Sequence, residues 1–185
     1  LGLVGSEMCI RDSLLGDDIK RKDIFPAGRL DKDTIGMVLI TNDGTLSHRI
    51  LSPKKHIPKY YIVKLAESFQ EDYVRQFAEG VIIDGGEKCL PAKVKRFPDC
   101  EKTAFIELHE GKYHQIKRMF SAVENSVEKL CRIQMGGLLM PEKLAIGEYM
   151  EIMHKDVENL LKSQCFEEVF RNITENFSSY WINMQ

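Results

Sequence analysis

An α+β domain with a mixed, mostly antiparallel sheet is the fold class this sequence predicts. Strand-like and helix-like segments alternate irregularly, with several strand–strand neighbours, which disfavours a doubly wound parallel sheet. At 185 residues, 43% hydrophobic and 29% charged, the chain matches one globular domain able to bury a core. No internal repeat or low-complexity linker interrupts it. No apolar run approaches the about 20 residues that span a bilayer.

The elements follow in chain order. Leu14–Asp23 reads as a short helix, broken by Phe25-Pro26-Ala27-Gly28. Met37–Thr41 is an apolar, partly β-branched strand ended by the turn signal Asn42-Asp43-Gly44. A short helix over Ser47–Leu51 stops at Ser52-Pro53. Lys59–Leu65 is built of strand formers. Phe69–Glu79 places Tyr73, Val74 and Phe77 on one helical face, with Gly80 as its C′ residue. Val81–Ile83, Ala92–Phe97 and Thr103–His109 read as strands, the first two separated by a turn at Asp84-Gly85-Gly86. Tyr113–Val123 carries Ile116, Met119, Phe120 and Val123 at helical spacing. Val127–Met135 is a further strand, ended by Gly136-Gly137, and a helix near Asp156–Gln164 follows Glu148–Ile152. Residues 165–185 are a tail without assignment, and residues 1–13 read as foreign or disordered sequence.

The five cysteines are scattered, with no Cys-x-x-Cys pair, so reduced thiols in a cytoplasmic protein fit better than zinc or disulfides. Net charge is −2, yet the signs are segregated. Residues 44–66 lack acids and hold Arg49, Lys54, Lys55, Lys59 and Lys64; residues 111–123 lack acids and hold Lys112, Lys117 and Arg118. Such segregation focuses positive potential locally, either as a phosphate-binding face or as a solvated lysine-rich edge.

Three stretches crowd polar residues where a plain core would be apolar. Gly28-Arg29-Leu30-Asp31-Lys32-Asp33-Thr34-Ile35-Gly36 suggests a loop presenting a reactive carboxylate, or a capped turn. Lys59-Tyr60-Tyr61 offers an aromatic ring beside lysines, a device for stacking single-stranded RNA, or a core tyrosine in a strand. Glu110–Phe120 puts Lys112 to Gln115 at a helix N-terminus, where N–H groups attract anions. Lys117 and Arg118 are adjacent and point in different directions. His114 reads as structural rather than as a general base.

In this order, these stretches resemble the pseudouridine synthase family that acts on ribosomal RNA, in the branch that modifies the small subunit. The matching text is Gly28–Gly36, Leu39–Gly44, Ser52–His56, Lys59–Tyr61, Glu110–Met119, Leu130-Cys131-Arg132 with Gly136-Gly137, and Gly147-Glu148-Tyr149. The resemblance implies two α-β-plait-like lobes flanked by helices, with residues 14–164 as a catalytic domain lacking the family's N-terminal S4-type domain. It implies that Asp31 is the catalytic carboxylate, Tyr61 stacks on the uracil, and Lys117 pairs with the aspartate. Arg29 then fills the gap left by a flipped nucleotide, Leu130 packs against the base, and Leu30, Lys54, Lys55, Lys59, Gln115 and Arg118 bind the RNA substrate. The implied partner is ribosomal RNA or the assembling small subunit, met by a monomer without membrane attachment.

The implied reaction moves uracil from an N- to a C-glycosidic bond. It oxidises nothing and transfers no outside group, so no cofactor and no metal are expected. Two rivals differ in class. Asp31-Lys32-Asp33-Thr34 also fits a magnesium-dependent phosphotransferase, whose motif should end a hydrophobic strand. An RNA-binding module without catalysis, or an enzyme acting on 23S RNA, would share the same basic segments.

Overall fold

The structure, a computed structural model, describes residues 2–4, 24–52, 57–142 and 144–176. Its strands are β1 (Gly2–Val4), β2 (Phe25–Pro26), β3 (Thr34–Thr41), β4 (Lys59–Leu65), β5 (Ile82–Ile83), β6 (Glu87–Lys88), β7 (Lys93–Phe97), β8 (Cys100–Leu108), β9 (Val127–Met135), β10 (Leu138–Leu139) and β11 (Tyr149–Met150). Its helices are α1 (Gly44–Leu51), α2 (Asp72–Glu79), α3 (Gln115–Ala122), α4 (His154–Leu160) and α5 (Phe166–Asn176). This is the α+β class expected. The chain divides into two compact units: the first comprises Leu1–Ile57 and Cys131–Ser163, the second Pro58–Leu130 and Gln164–Gln185. The helix expected over Leu14–Asp23 lies outside the described residues.

In the first unit β3 is the organising strand. It pairs antiparallel with β2, Phe25 opposite Thr41, and with β1, Leu3 opposite Val38; β1 in turn pairs with β11. The pairing of Gly2–Val4 was not legible in residues 1–13, because an extended backbone can join a strand edge without side-chain periodicity. β3 begins at Thr34, three residues before the apolar run that predicted it. The reason is Gly36, at φ 111°: a Cβ there would lie 2.2 Å from the carbonyl oxygen of Arg132 on β9. Only glycine permits that approach. The helix α1 also starts early, at Gly44, because the Asp43 carboxylate caps it, accepting the Thr45 and Leu46 N–H groups at 2.8 and 3.0 Å. The Gly136-Gly137 turn brings β10 back on β9, with Leu138 opposite Met135.

In the second unit β8 lies between β4 and β7, both antiparallel to it. Register decides which face each side chain takes. Tyr60, Glu107 and Lys93 are cross-strand partners on one face, and Tyr61, Ile106 and Val94 on the other. On the Tyr61 face, α2 and α3 cover an apolar cluster including Val63, Ile106, Tyr73, Phe77, Met119 and Phe120. On the Tyr60 face lies α5, where Phe166 and Phe170 meet Phe105 at ring-centroid distances of 5.4 and 5.5 Å. Burying each such ring contributes about 1.5–3 kcal/mol.

Three expectations need correction here. Val74 does not share the buried face of α2: it is 43% exposed, while Tyr73 and Phe77, a full turn apart, are buried. The Asp84-Gly85-Gly86 turn does not lead into the strand beginning near Ala92; it closes a small hairpin in which Ile82 pairs with Lys88 and Ile83 with Glu87. The unassigned tail contains α5, whose buried Phe166, Val169, Phe170 and Ile173 form an i, i+3, i+4, i+7 stripe.

Candidate active site

Asp31 sits in a four-residue turn of the first unit, closed by the Thr34 N–H donating to the Asp31 main-chain carbonyl at 2.9 Å. The turn leads directly into β3, so the segment carrying Asp31 is anchored on its C-terminal side by a buried strand. Asp31 and Leu30 are half-buried; Arg29 and Asp33 are exposed. The carboxylate therefore stands on a turn before a strand, not at the end of one. The phosphotransferase reading required the opposite placement, and β2, the strand upstream, is only two residues long.

The segment is braced from beneath by a residue to which sequence reasoning assigned no role. Arg132 is 2% exposed. Its Nε donates to the Met37 carbonyl at 2.8 Å, and its Nη1 to the Arg29 carbonyl at 3.5 Å. One guanidinium thus ties the backbone two residues before Asp31 to the backbone six residues after it. Its planar fork suits that task, holding two directions at once. Buried in the same unit, Arg132 Nη2 and Thr34 Oγ1 have no hydrogen-bond partner. Unmet polar atoms are rare in plain cores and accumulate where structure serves chemistry. The missed signal was Leu130-Cys131-Arg132-Ile133: an arginine set among apolar residues in the buried half of β9.

The second unit holds the other expected residues. Tyr61 and Leu130, 9% and 5% exposed, share its apolar cluster with Ile116. Lys59 is buried at the start of β4, and Lys117 is half-buried on α3. Lys54 and Lys55 lie outside the described residues. The helix α3 starts at Gln115, so Lys112, Tyr113 and His114 form the approach to it rather than its first turn. His114 takes the left-handed conformation, φ 47°, and its carbonyl accepts the first helical hydrogen bond, from Arg118 N–H at 3.0 Å.

Gln115, expected at the RNA, is 4% exposed and works within the unit. Its Nε2 donates to Glu110 at 2.6 Å and its Oε1 accepts the Lys112 N–H at 2.9 Å, pinning the loop before the helix. The acid-free run of residues 111–123 is not acid-free in space. Lys112 pairs with Glu87 at 2.7 Å. The Arg118 guanidinium binds the Asp84 carboxylate and donates to the carbonyls of Tyr113 and Asp84, both at 3.1 Å. Each of these acids comes from the β5–β6 hairpin, beyond the reach of a linear charge count.

A second polar cluster lies on the opposite face of the β4–β8–β7 sheet. Glu107 is 2% exposed; the His109 Nε2 approaches it at 3.0 Å and the Lys93 ammonium at 3.1 Å. Burial alone would raise this carboxyl, but its hydrogen bonds to His109 and Lys93 outweigh that and hold it below the usual range. Tyr60, beside it, does not close a well-formed hydrogen bond. Burial first, and then the charge of Glu107, push its phenol far above the ordinary value, so it stays protonated. The described cysteines are free thiols, as expected, and burial pushes Cys131 up to about 12.

The model of the RNA pseudouridylate synthase family matches residues 6–122. The uncharacterized RNA pseudouridine synthase YtzG of Bacillus subtilis is 44% identical over 82% of this chain and 64% of its own length. The ribosomal small subunit pseudouridine synthase A of Vibrio vulnificus is 43% identical over 80% of this chain and again 64% of that protein. The chain therefore spans somewhat under two thirds of the curated relatives it matches. A solved pseudouridylate synthase superposes with a TM-score of 0.80 at 36% identity, covering 86% of this chain and 72% of that one. Sequence and fold agree: the chain belongs to the RNA pseudouridylate synthase family.

Proposed function

We propose that this chain is the catalytic part of an enzyme that isomerises a uridine of 16S small-subunit ribosomal RNA to pseudouridine, with Asp31 as the carboxylate that acts. The observation that carries the reading is the turn at Asp31, fixed by Arg132 on one side and by Gly36 in β3 on the other. A group that must meet one atom of an everted nucleotide needs such support. The small-subunit substrate rests on the likeness to the Vibrio vulnificus protein.

In the reaction the bond between C1′ and N1 of uridine breaks, the uracil turns, and C5 bonds to C1′. N1 gains a proton and C5 loses one, so atoms and charge balance without an outside reagent. An aspartate can serve as nucleophile or as base. The target base has to leave its stack, at a cost of a few kcal/mol. Tyr61 and Leu130 are assigned to receive it, Lys117 to balance the carboxylate, and Arg29, Leu30 and Lys59 to the surrounding RNA, all by the family resemblance. We place the enzyme in the cytoplasm, acting as a monomer on the assembling small subunit.

Tritium release from 5-tritiated uridine tests this directly. Wild type should release tritium from small-subunit RNA and not from large-subunit RNA; release from the large subunit alone would reassign the substrate. Asp31→Asn keeps the side chain's shape and removes its charge, so release should fall to background while RNA binding persists. Lys117→Met should cut the rate severely in the same assay. Full turnover by Asp31→Asn would refute the assignment.

A further inference from the structure

The approach to α3 holds a pair of rings to which the reaction at Asp31 gives no part, although they border Lys117, the cation assigned to that carboxylate. Tyr113 is 73% exposed, the most exposed large hydrophobic side chain among the described residues. Its ring lies parallel to that of His114, with centroids 3.9 Å apart and planes 16° from each other. Neighbouring side chains do not normally stack. In a strand they point to opposite faces, and in a helix they diverge by about 100°. The left-handed backbone at His114 makes the stack possible, a conformation that non-glycine residues rarely adopt.

The backbone beneath the two rings is fixed. Arg118 donates to the Tyr113 carbonyl while its guanidinium is held by Asp84. Tyr113 and His114 border an open hollow of about 480 Å³, whose other walls are Asp84, Lys117, Arg118 and Ser121. That volume exceeds what one planar base needs and falls within the range of small-ligand pockets. An exposed, rigidly mounted aromatic ring beside cationic side chains is the recurrent device for holding an unpaired base.

We propose that Tyr113, backed by His114, is a stacking platform for an unpaired base of the RNA substrate, distinct from the uridine that is isomerised. This rests on the RNA-modifying reading above and adds a subsite to it. Because Asp84 already neutralises Arg118, the platform holds its base by stacking more than by phosphate attraction.

The test uses the full chain and a single-stranded RNA of about ten nucleotides. One version carries 2-aminopurine beside a uridine, and a second is abasic at the same place. Wild type should quench the 2-aminopurine on binding. Tyr113→Ala and Tyr113→Leu should lose the quench and weaken the Kd about tenfold. Tyr113→Trp and Tyr113→Phe should retain both. The salt slope should stay unchanged in all four, since no phosphate contact is lost. On the abasic strand wild type and Tyr113→Ala should bind alike. Equal Kd and equal quench for wild type and Tyr113→Ala would overturn the platform while leaving the Asp31 assignment intact. Loss of tritium release by the wild type with the quench preserved would overturn the catalytic reading and keep the platform. A wild type that binds neither strand would overturn the platform, and tritium release from ribosomal RNA would still decide the Asp31 assignment.

Discussion

The two units hold their chains by different means. In the second, the β4–β8–β7 sheet is buried on both faces by aromatic and aliphatic side chains, each contact small and the sum large. In the first, the segment carrying Asp31 depends on one guanidinium and on one glycine pressed against a neighbouring backbone. Distributed packing loses stability by degrees when one side chain shrinks. A few directional bonds fix a position closely, and lose it abruptly when one of them goes. The second unit uses the first strategy and the turn at Asp31 uses the second.

Gly36→Ala should have the largest effect, because the new Cβ would meet the Arg132 carbonyl with no flexible atom to yield. We expect a loss of about 3–5 kcal/mol in denaturant unfolding, strain at positive φ adding to the clash. A loss below about 1 kcal/mol would mean that β3 and β9 can part freely, and the contrast between the units would weaken.

Arg132→Met should come next, at about 2–3 kcal/mol, as two carbonyls lose a buried donor. The sharper readout is catalytic: kcat should fall while KM for RNA stays near wild type, with Arg132→Lys restoring part of the rate. Equal falls in stability and rate, with no rescue by lysine, would reduce Arg132 to a packing residue.

Glu107→Gln should have the smallest effect, about 1–3 kcal/mol, and it should depend on pH. The folded carboxyl lies below its usual range, so its contribution is present above the unfolded value and lost as pH falls through the lowered folded value. The gap between wild type and variant should thus be full at neutral pH and close below about pH 4. A gap that widened in acid would show that the charge destabilises the sheet.

Much of the frame was legible because it is local. The runs Lys59–Leu65 and Val127–Met135 became β4 and β9 at the expected residues. Ile116, Met119 and Phe120 set the buried face of α3, and Asn42-Asp43-Gly44 ended β3. The stripe in α5 was equally local but went unread, since its apolar residues are interspersed with Glu167, Glu168, Arg171 and Asn172. Arg132 and the acids of the β5–β6 hairpin were not legible, because their partners lie far along the chain: 95 residues separate Arg132 from Met37, and 34 separate Arg118 from Asp84. Gln115 bonds locally, to Glu110 and Lys112, but only its burial turns it inward.

The sequence by itself determined the family, the fold class, and the order of the segments that match the family, because periodicity, turn residues and the Gly-Arg-Leu-Asp block are written in consecutive positions. Tertiary structure alone decided which of two adjacent tyrosines faces which side of the sheet. It also decided which cations are already paired and what holds the turn at Asp31. Those outcomes depend on strand register and on contacts between distant residues, and a hydrogen bond is set by distance in space rather than by spacing along the chain.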